Sequence, residues 1–208
     1  MQPLIDNFRA FNRRERFFVI GWALDNPFFT LGEEFREQVK TDIGMDIPAD
    51  AFCAMDFPID WIMGCLWLSK EEPPTYSVLE TGEINMKGDD LDLVVAYEAA
   101  GKTQLLLIEA KGVTGWKNSQ LESKAERLGE LFGTGETPDI WPGVEPHFIL
   151  ASGKEPSSID VGKWPLWTQS GQRPRWWLKL PIPDGLRKIV RCDHDGRKNA
   201  EGSFWKVV

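Results

Sequence analysis

The residues of this chain whose types and spacing could do chemistry are Asp92, Glu109 and Lys111. Two carboxylates held close together repel each other, and a hard divalent cation such as Mg²⁺ or Mn²⁺, which prefers oxygen ligands, removes that conflict. A lysine beside them can neutralise the remaining charge and orient an attacking water. Because a metal-bound water is more acidic than bulk water and becomes a nucleophile near neutral pH, these groups suit the hydrolysis of a phosphodiester.

A β-hairpin is predicted to bring these side chains together. Leu91–Tyr97 and Gln104–Ile108 are runs of β-forming residues, and the segment Ala99-Ala-Gly-Lys102 joins them. Two strands joined by so short a turn are antiparallel. The acidic start of the first run therefore lies beside the charged end of the second.

The register of this hairpin decides which side chains meet. With the turn centred on Ala100–Gly101, Asp92 opposes Glu109 and Asp90 opposes Lys111. Alternation along each strand then places all four polar groups on one face, at the open end of the hairpin. Apolar neighbours on that face indicate that it turns toward the core, and Asp90 becomes a candidate second metal ligand. A merely solvated, acidic hairpin end is the alternative.

The elements before the hairpin are less uniform. A helical stretch from Pro3 to about Leu24, broken once, is predicted to precede a capping box at Thr30–Glu33. The helix that follows this box has one apolar stripe, made of Leu31, Phe35, Val39 and Ile43. The run Phe57–Leu68 is apolar, but its pattern does not separate helix from strand. Tyr76–Ile84 is predicted as a strand.

A helix and a strand are predicted to follow the hairpin. Ser119–Glu122 resembles a second capping box, and Leu121, Ala125, Leu128 and Phe132 give the helix over 119–132 a buried face. His147–Ala151 then forms a short buried strand. Because a strand-helix-strand crossover is right-handed, this strand is expected to lie parallel to the second hairpin strand. Asp193–Gly196 is predicted as a turn between two short strands.

The sequence Gly88-Asp-Asp-Leu-Asp-Leu-Val-Val95, followed after the turn by Leu107-Ile-Glu-Ala-Lys-Gly112, resembles the PD-(D/E)xK, or restriction-endonuclease-like, superfamily. The resemblance implies an α/β fold with a mixed central sheet flanked by helices and an αβββαβ core, here 28–152. It also implies that Asp92 and Glu109 are metal ligands and that Lys111 is the catalytic lysine. Leu91 stands where the motif name has proline.

The resemblance suggests two further site residues. Many members carry a glutamine in the helix after the Glu-x-Lys strand, and Gln120 is similar in place. Members often supply another carboxylate from the first core helix, for which Glu34 is the candidate, although it lies off the apolar stripe. We expect a single domain over 1–208, with an N-terminal helical segment at 1–27 and a basic, Trp-rich extension at 153–208.

Cationic residues are candidates for nucleic-acid binding. Lys124 and Arg127 follow Gln120 at helical spacing and are predicted to form a polar edge that holds phosphate, with a solvated helix face as the alternative. Arg173, Arg175 and Lys179 flank Trp176-Trp177, whose rings either stack on bases or belong to the core, the commoner role of tryptophan.

Composition narrows the class of protein. The net charge is −8, yet residues 173–208 hold nine Lys and Arg against four Asp and Glu, so a basic surface can exist. The three cysteines lie far apart and suggest buried thiols rather than disulfides or a zinc site. The sequence also bears on localisation. The apolar runs are too short for a membrane helix, and the N-terminus does not resemble a signal peptide. We therefore expect a cytoplasmic protein without a membrane partner.

The sequence predicts a metal-dependent nuclease that cleaves DNA. RNA as a substrate and a homodimeric state stay open. One rival is a nucleic-acid-binding or scaffolding protein that keeps the fold without catalysis. Another is a Mg²⁺-dependent hydrolase of nucleotides or small phosphoesters. Base specificity depends on which side chains reach a groove, and no local pattern fixes that.

Overall fold

The computed structural model describes residues 4–70, 88–112 and 115–208. Two short helices, α1 (Leu4–Phe11) and α2 (Glu15–Ala23), begin this part of the chain. They confirm the predicted helical stretch that is broken once. The other elements follow in chain order as α3 (Glu33–Ile43), β1 (Phe52–Pro58), α4 (Ile59–Leu68), β2 (Asp90–Ala99), β3 (Lys102–Lys111), α5 (Asn118–Phe132), β4 (Val144–Ser152), a 3₁₀ turn (Leu166–Thr168), β5 (Gln169–Ser170), β6 (Arg173–Pro174), β7 (Trp176–Lys179), β8 (Ile189–Cys192) and β9 (Phe204–Val207).

A mixed sheet of five strands, in the order β1-β2-β3-β4-β7, forms the centre of the fold. Strands β1, β2 and β3 are antiparallel neighbours, whereas β4 is parallel to β3 and β7 is parallel to β4. The predicted α/β class and the parallel crossover from β3 through α5 to β4 are therefore confirmed. The finer expectation, a restriction-endonuclease-like core, stays a prediction.

The hairpin of β2 and β3 turns at the predicted place. Ala100 and Gly101 have φ values of 52° and 76°, the left-handed values that a two-residue turn of type I′ requires. The ladder runs from Ala99 opposite Lys102 to Leu93 opposite Ile108, which is the predicted register.

Helices cover both faces of the sheet. On one face α4 and α5 bury residues such as Ile62, Leu121 and Leu128 against Leu105 and Leu107. Full burial of each such side chain contributes about 1.5–3 kcal/mol. On the other face α3 packs Val39 and Ile43 against the side chains of Val95, Leu106 and Ile108. The sheet is thus the middle layer of three, and its two faces meet different helices.

The two predicted capping boxes are wrong. Helix α3 begins after Gly32 and α5 begins after Lys117, and neither N-cap residue makes a side-chain hydrogen bond, so the capping boxes at Thr30 and Ser119 do not form. The backbone N–H of Thr30 instead donates to Asn26 Oδ1 at 2.9 Å. The run Phe57–Leu68 contains the end of β1 and then α4, with Pro58 at the boundary. The predicted strand Tyr76–Ile84 lies outside the described residues.

The C-terminal extension adds strand β7 to the sheet and two separate two-stranded sheets, β5–β6 and β8–β9. Trp164 and Trp167 are buried in the core, whereas Trp176 and Trp177 on β7 are half-buried. Strands β8 and β9 pair with each other, and a turn at Asp193–Gly196 follows β8 as predicted.

The three cysteines confirm the prediction of buried, unpaired thiols. Burial raises the pKa of Cys53 to about 11, so this thiol stays protonated at neutral pH. None of the helices that the structure describes is long and apolar enough to cross a membrane.

Candidate active site

Glu109 is the buried acidic residue at the end of β3. It is 1% exposed and belongs to the face of β3 that carries Leu105 and Leu107, the face covered by α5. An ionised carboxylate in such surroundings needs a cationic partner or a hydrogen-bond donor. The contacts of Glu109 therefore decide what this part of the molecule can do.

Two lysines flank the Glu109 carboxylate. Lys124 Nζ lies 2.5 Å from Oε2, and Lys111 Nζ lies 3.5 Å from Oε1. Lys124 is 4% exposed, because α5 places it beside its buried stripe and directs its ammonium into the core. Lys111 is more open, and its ammonium lies 6.0 Å from the ring centroid of Trp116. One carboxylate thus sits between two ammonium groups.

The pKa of Glu109 is raised above its ordinary value. Burial is the largest cause, since it penalises the charged form. The hydrogen bond and charge of Lys124 oppose this shift, as does the charge of Lys111, whereas the charge of Asp92 adds to it. The charge of Asp92 therefore adds to the cost of ionising Glu109.

Asp92 lies on β2 beside the Glu109–Ala110 peptide. Its Oδ2 accepts a hydrogen bond of 2.6 Å from the backbone N–H of Ala110, and the residue is exposed. It borders a small pocket on the α3 side of the sheet, with Phe35 and Ile108 among the lining residues. Asp92 thus contacts β3 at the peptide that follows Glu109.

The predicted single face of polar groups is wrong at the hairpin mouth. Leu91 packs in the α5-side cluster, whereas Leu93 packs in the α3-side cluster, so the alternation of β2 is interrupted at Asp92. The neighbouring β1 shifts at the same level, where Asp56 has a left-handed φ of 49°. The expected pairing of Asp92 with Glu109 lies beyond the last ladder pair, Leu93 with Ile108.

Asp90, the predicted second metal ligand, contacts β1 and Arg14. It pairs with Pro58 on β1, and its Oδ2 lies 3.4 Å from Arg14 Nη2. The ladder between β2 and β3 ends at Leu93 and Ile108, so the predicted position of Asp90 opposite Lys111 lies beyond it, and the Asp90 side chain contacts Arg14. The adjacent Asp89 was not predicted, and its Oδ2 accepts a 3.2 Å hydrogen bond from Ser123 Oγ on α5.

Glu34 and Gln120 lie apart from Glu109. Glu34 is exposed in the first turn of α3, on the opposite side of the sheet. Gln120 is exposed in the first turn of α5, and it is Lys124, one helical turn later, that reaches Glu109. The expectation that these two residues complete the site gains no support from their positions.

The predicted phosphate-binding edge of α5 is buried. Arg127, like Lys124, has only a few per cent of its surface exposed, and it forms ion pairs with Asp60 at 2.9 Å and with Glu130. Sequence periodicity placed both cations next to the apolar stripe but could not reveal their acidic partners. An exposed polar edge at these two positions is therefore wrong.

Arg173 and Arg175 are exposed, as their proposed role requires. The guanidinium of Arg175 lies 5.5 Å from the ring centroid of Trp176. Arg173 borders a shallow pocket with Glu155, Ser157 and Gln172. Both arginines are accessible to a polyanion.

Within residues 4–70, 88–112 and 115–208, no group of three or more His, Cys, Asp and Glu side chains is arranged to hold a metal ion. The nearby carboxylates of Asp92 and Glu109 do provide oxygen ligands, the donor type that Mg²⁺ and Mn²⁺ prefer. Mg²⁺ is often held by one or two carboxylates, with water and substrate phosphate supplying its other ligands. The donor chemistry therefore fits such a cation.

Comparison of the chain with models of known protein families, with curated proteins and with solved structures finds no match.

Proposed function

We propose that this protein is a metal-dependent nuclease that hydrolyses phosphodiester bonds in DNA. The observation that carries the proposal is the cluster at the end of β3, in which the buried Glu109 contacts Lys111 and Lys124 while Asp92 lies at the adjoining peptide. In this cluster two carboxylates, which can bind a metal cation, lie beside ammonium groups, which can bind a phosphate. The resemblance of the Asp92 and Glu109-Ala-Lys111 segments to PD-(D/E)xK nucleases supports the same reaction.

Asp92 and Glu109 are the residues that would hold Mg²⁺ or Mn²⁺. When bound, such a cation supplies an acidified water and neutralises charge on the phosphate. Asp92 is the accessible ligand, because it is exposed and already oriented by the Ala110 N–H. Glu109 would be the buried ligand, and Lys124 holds the Oε2 atom that such a cation would need.

The two lysines have different tasks in this proposal. Lys111, with 21% of its side chain exposed, can reach a substrate phosphate or orient the attacking water. Lys124 is 5% exposed at its side chain and is a positioning residue, since it acts on the substrate only through Glu109. Its ammonium balances Glu109 when no other cation is near.

The test is cleavage of plasmid DNA in Mg²⁺ or Mn²⁺ by the wild type and by Glu109→Gln and Lys111→Ala. We expect both variants to lose activity by at least about 100-fold, the scale of a positioned acid, base or charge in a transition state. Glu122→Gln is the matched control, because Glu122-Ser-Lys124 repeats the local pattern but Glu122 pairs with Lys163 at the surface. The control is expected to keep full activity.

Three results would contradict the nuclease proposal. Equal cleavage by the wild type and Lys111→Ala would point to another site or a contaminant. A wild type without any cleavage of duplex DNA, single-stranded DNA or RNA would exclude a nuclease. Activity confined to mononucleotides would instead identify a nucleotide hydrolase.

A catalytically silent nucleic-acid-binding or scaffolding protein is the second candidate. It is favoured by the two lysines that already neutralise Glu109 and by the absence, among the described residues, of a group of three metal-ligating side chains. The two candidates differ in whether Mn²⁺ binds at Asp92 and Glu109, which calorimetry measures without any substrate.

A further inference from the structure

The hairpin of β8 and β9 exposes a row of apolar and cationic side chains. Ile189 pairs with Val207 and Arg191 pairs with Trp205, so these four side chains share one face. Ile189 is 71%, Trp205 68% and Val207 50% exposed. Contiguous exposed apolar surface of this kind marks a binding site more often than it marks bare protein surface.

The charge of this region favours a polyanion as its partner. Residues 186–208, which we call the C-terminal hairpin, hold six Lys and Arg against three Asp and Glu, although the whole chain carries −8. Asp193 is engaged by its own turn, where its Oδ1 accepts two backbone hydrogen bonds. Arg191 lies on the exposed face, with Arg187 and Lys188 at its base. A second copy of this hairpin would bring like charges together.

Backbone contacts fix the conformation of the β8–β9 hairpin without a ligand. The backbone N–H of Asn199 donates to the carbonyl of Arg191 at 3.1 Å, and Lys188 and Val208 exchange two backbone hydrogen bonds of 2.9 Å. Gly202 passes so close to β8 that a Cβ on it would lie 2.1 Å from the Cys192 carbonyl oxygen. Little ordering is therefore needed on binding, which preserves affinity.

We propose that the exposed face of the C-terminal hairpin binds single-stranded nucleic acid, with Trp205 stacked on a base and Arg191 on a phosphate. An indole ring stacks on every base, and a neighbouring cation follows the backbone, the combination by which single strands are bound without sequence preference. In a duplex the bases are stacked on each other, so no unstacked base is available to the indole of Trp205. In the proposed nuclease this face holds a substrate strand, yet it belongs to different elements from Glu109.

The experiment measures the anisotropy of a fluorescein-labelled oligodeoxythymidine in EDTA, where hydrolysis does not occur. Trp205→Ala is expected to raise the Kd by about 5- to 100-fold, the loss of one stacked base. Arg191→Gln is expected to raise the Kd and to reduce the slope of log K against log salt by about 0.7, the loss of one phosphate contact on a single strand. Trp22→Ala is the matched control, since Trp22 on α2 is 85% exposed and lies outside the hairpin.

Several outcomes would overturn this proposal. They are a wild type that does not bind the oligonucleotide at low salt, a Trp205→Ala variant with unchanged affinity, and an equal loss in Trp22→Ala. A duplex bound as tightly as the single strand, with no dependence on Trp205, would also overturn it. Circular dichroism confirms that the exposed-site variants are folded. Because no metal is present, this result and the cleavage result can fail separately.

Discussion

Lys124 Nζ lies 2.5 Å from Glu109 Oε2, and both side chains are almost completely buried between α5 and the sheet. This buried ion pair joins α5 to the end of β3. It also opposes the rise in the pKa of Glu109 that burial causes. The same contact therefore stabilises the fold and occupies the Glu109 oxygen that the proposed metal site would need.

We expect Lys124→Met to lower the free energy of unfolding by about 3–5 kcal/mol at neutral pH, because it leaves the Glu109 charge buried without its nearest partner. Urea denaturation measures this loss. The double variant Glu109→Gln/Lys124→Met removes both charges and is expected to recover much of it. If Lys124→Met were as stable as the wild type, the ion pair would not contribute to the free energy of unfolding.

The raised pKa of Glu109 predicts a specific pH dependence. Its folded-state pKa lies above 4.5, the ordinary value, so the protonated form favours the folded state. This contribution is fully present below the unfolded pKa and is lost as the pH rises through the folded pKa. Urea denaturation of the wild type and of Glu109→Gln should show the wild type losing stability relative to the variant over that interval. A wild type that gains stability relative to Glu109→Gln as the pH rises would contradict the direction of the shift.

Two substitutions separate the structural and ligand roles of Asp92. Asp92→Asn keeps an acceptor for the Ala110 N–H and is expected to be nearly as stable as the wild type, whereas Asp92→Ala should lose about 1 kcal/mol with this hydrogen bond. Both variants should lose DNA cleavage, because both remove the charge. Full activity in Asp92→Asn would show that the carboxylate is only a backbone acceptor.

The hairpin turn offers a test of the register. Ala100 has a φ of 52°, which costs a residue with a Cβ about 1 kcal/mol and which asparagine tolerates better. Ala100→Asn is therefore expected to raise the free energy of unfolding by about 0.5–1 kcal/mol, measured in urea. Gly101→Ala, at a φ of 76°, should lower it. The opposite order would mean that another turn closes the hairpin.

Local signals were enough to predict the hairpin. Runs of alternating β-forming residues and the Ala100–Gly101 turn fix which residues pair, and the ladder from Ala99–Lys102 to Leu93–Ile108 follows them. The orientation of Asp92 depended on more than its own strand. The alternation of β2 changes beside Asp56 on β1, a residue 36 positions away in the sequence whose left-handed backbone has no local signature.

The burial of Lys124 also depended on tertiary structure. In the sequence it lies next to the stripe of Leu121 and Leu128, where a lysine ordinarily extends into water. Its burial requires the carboxylate of Glu109 on another element. The signal that could have revealed this pair is the acidic residue on an otherwise apolar face of β3, because such a residue needs a cation.

Titration calorimetry with Mn²⁺ tests most directly whether Asp92 and Glu109 form a metal site. We expect the wild type and the control Glu122→Gln to bind Mn²⁺ with equal affinity, and Asp92→Ala and Glu109→Gln to lose at least about tenfold in affinity, or 1.4 kcal/mol. Binding that is equal in all four proteins would place the cation elsewhere. A wild type that binds no Mn²⁺ would contradict the metal-dependent mechanism itself.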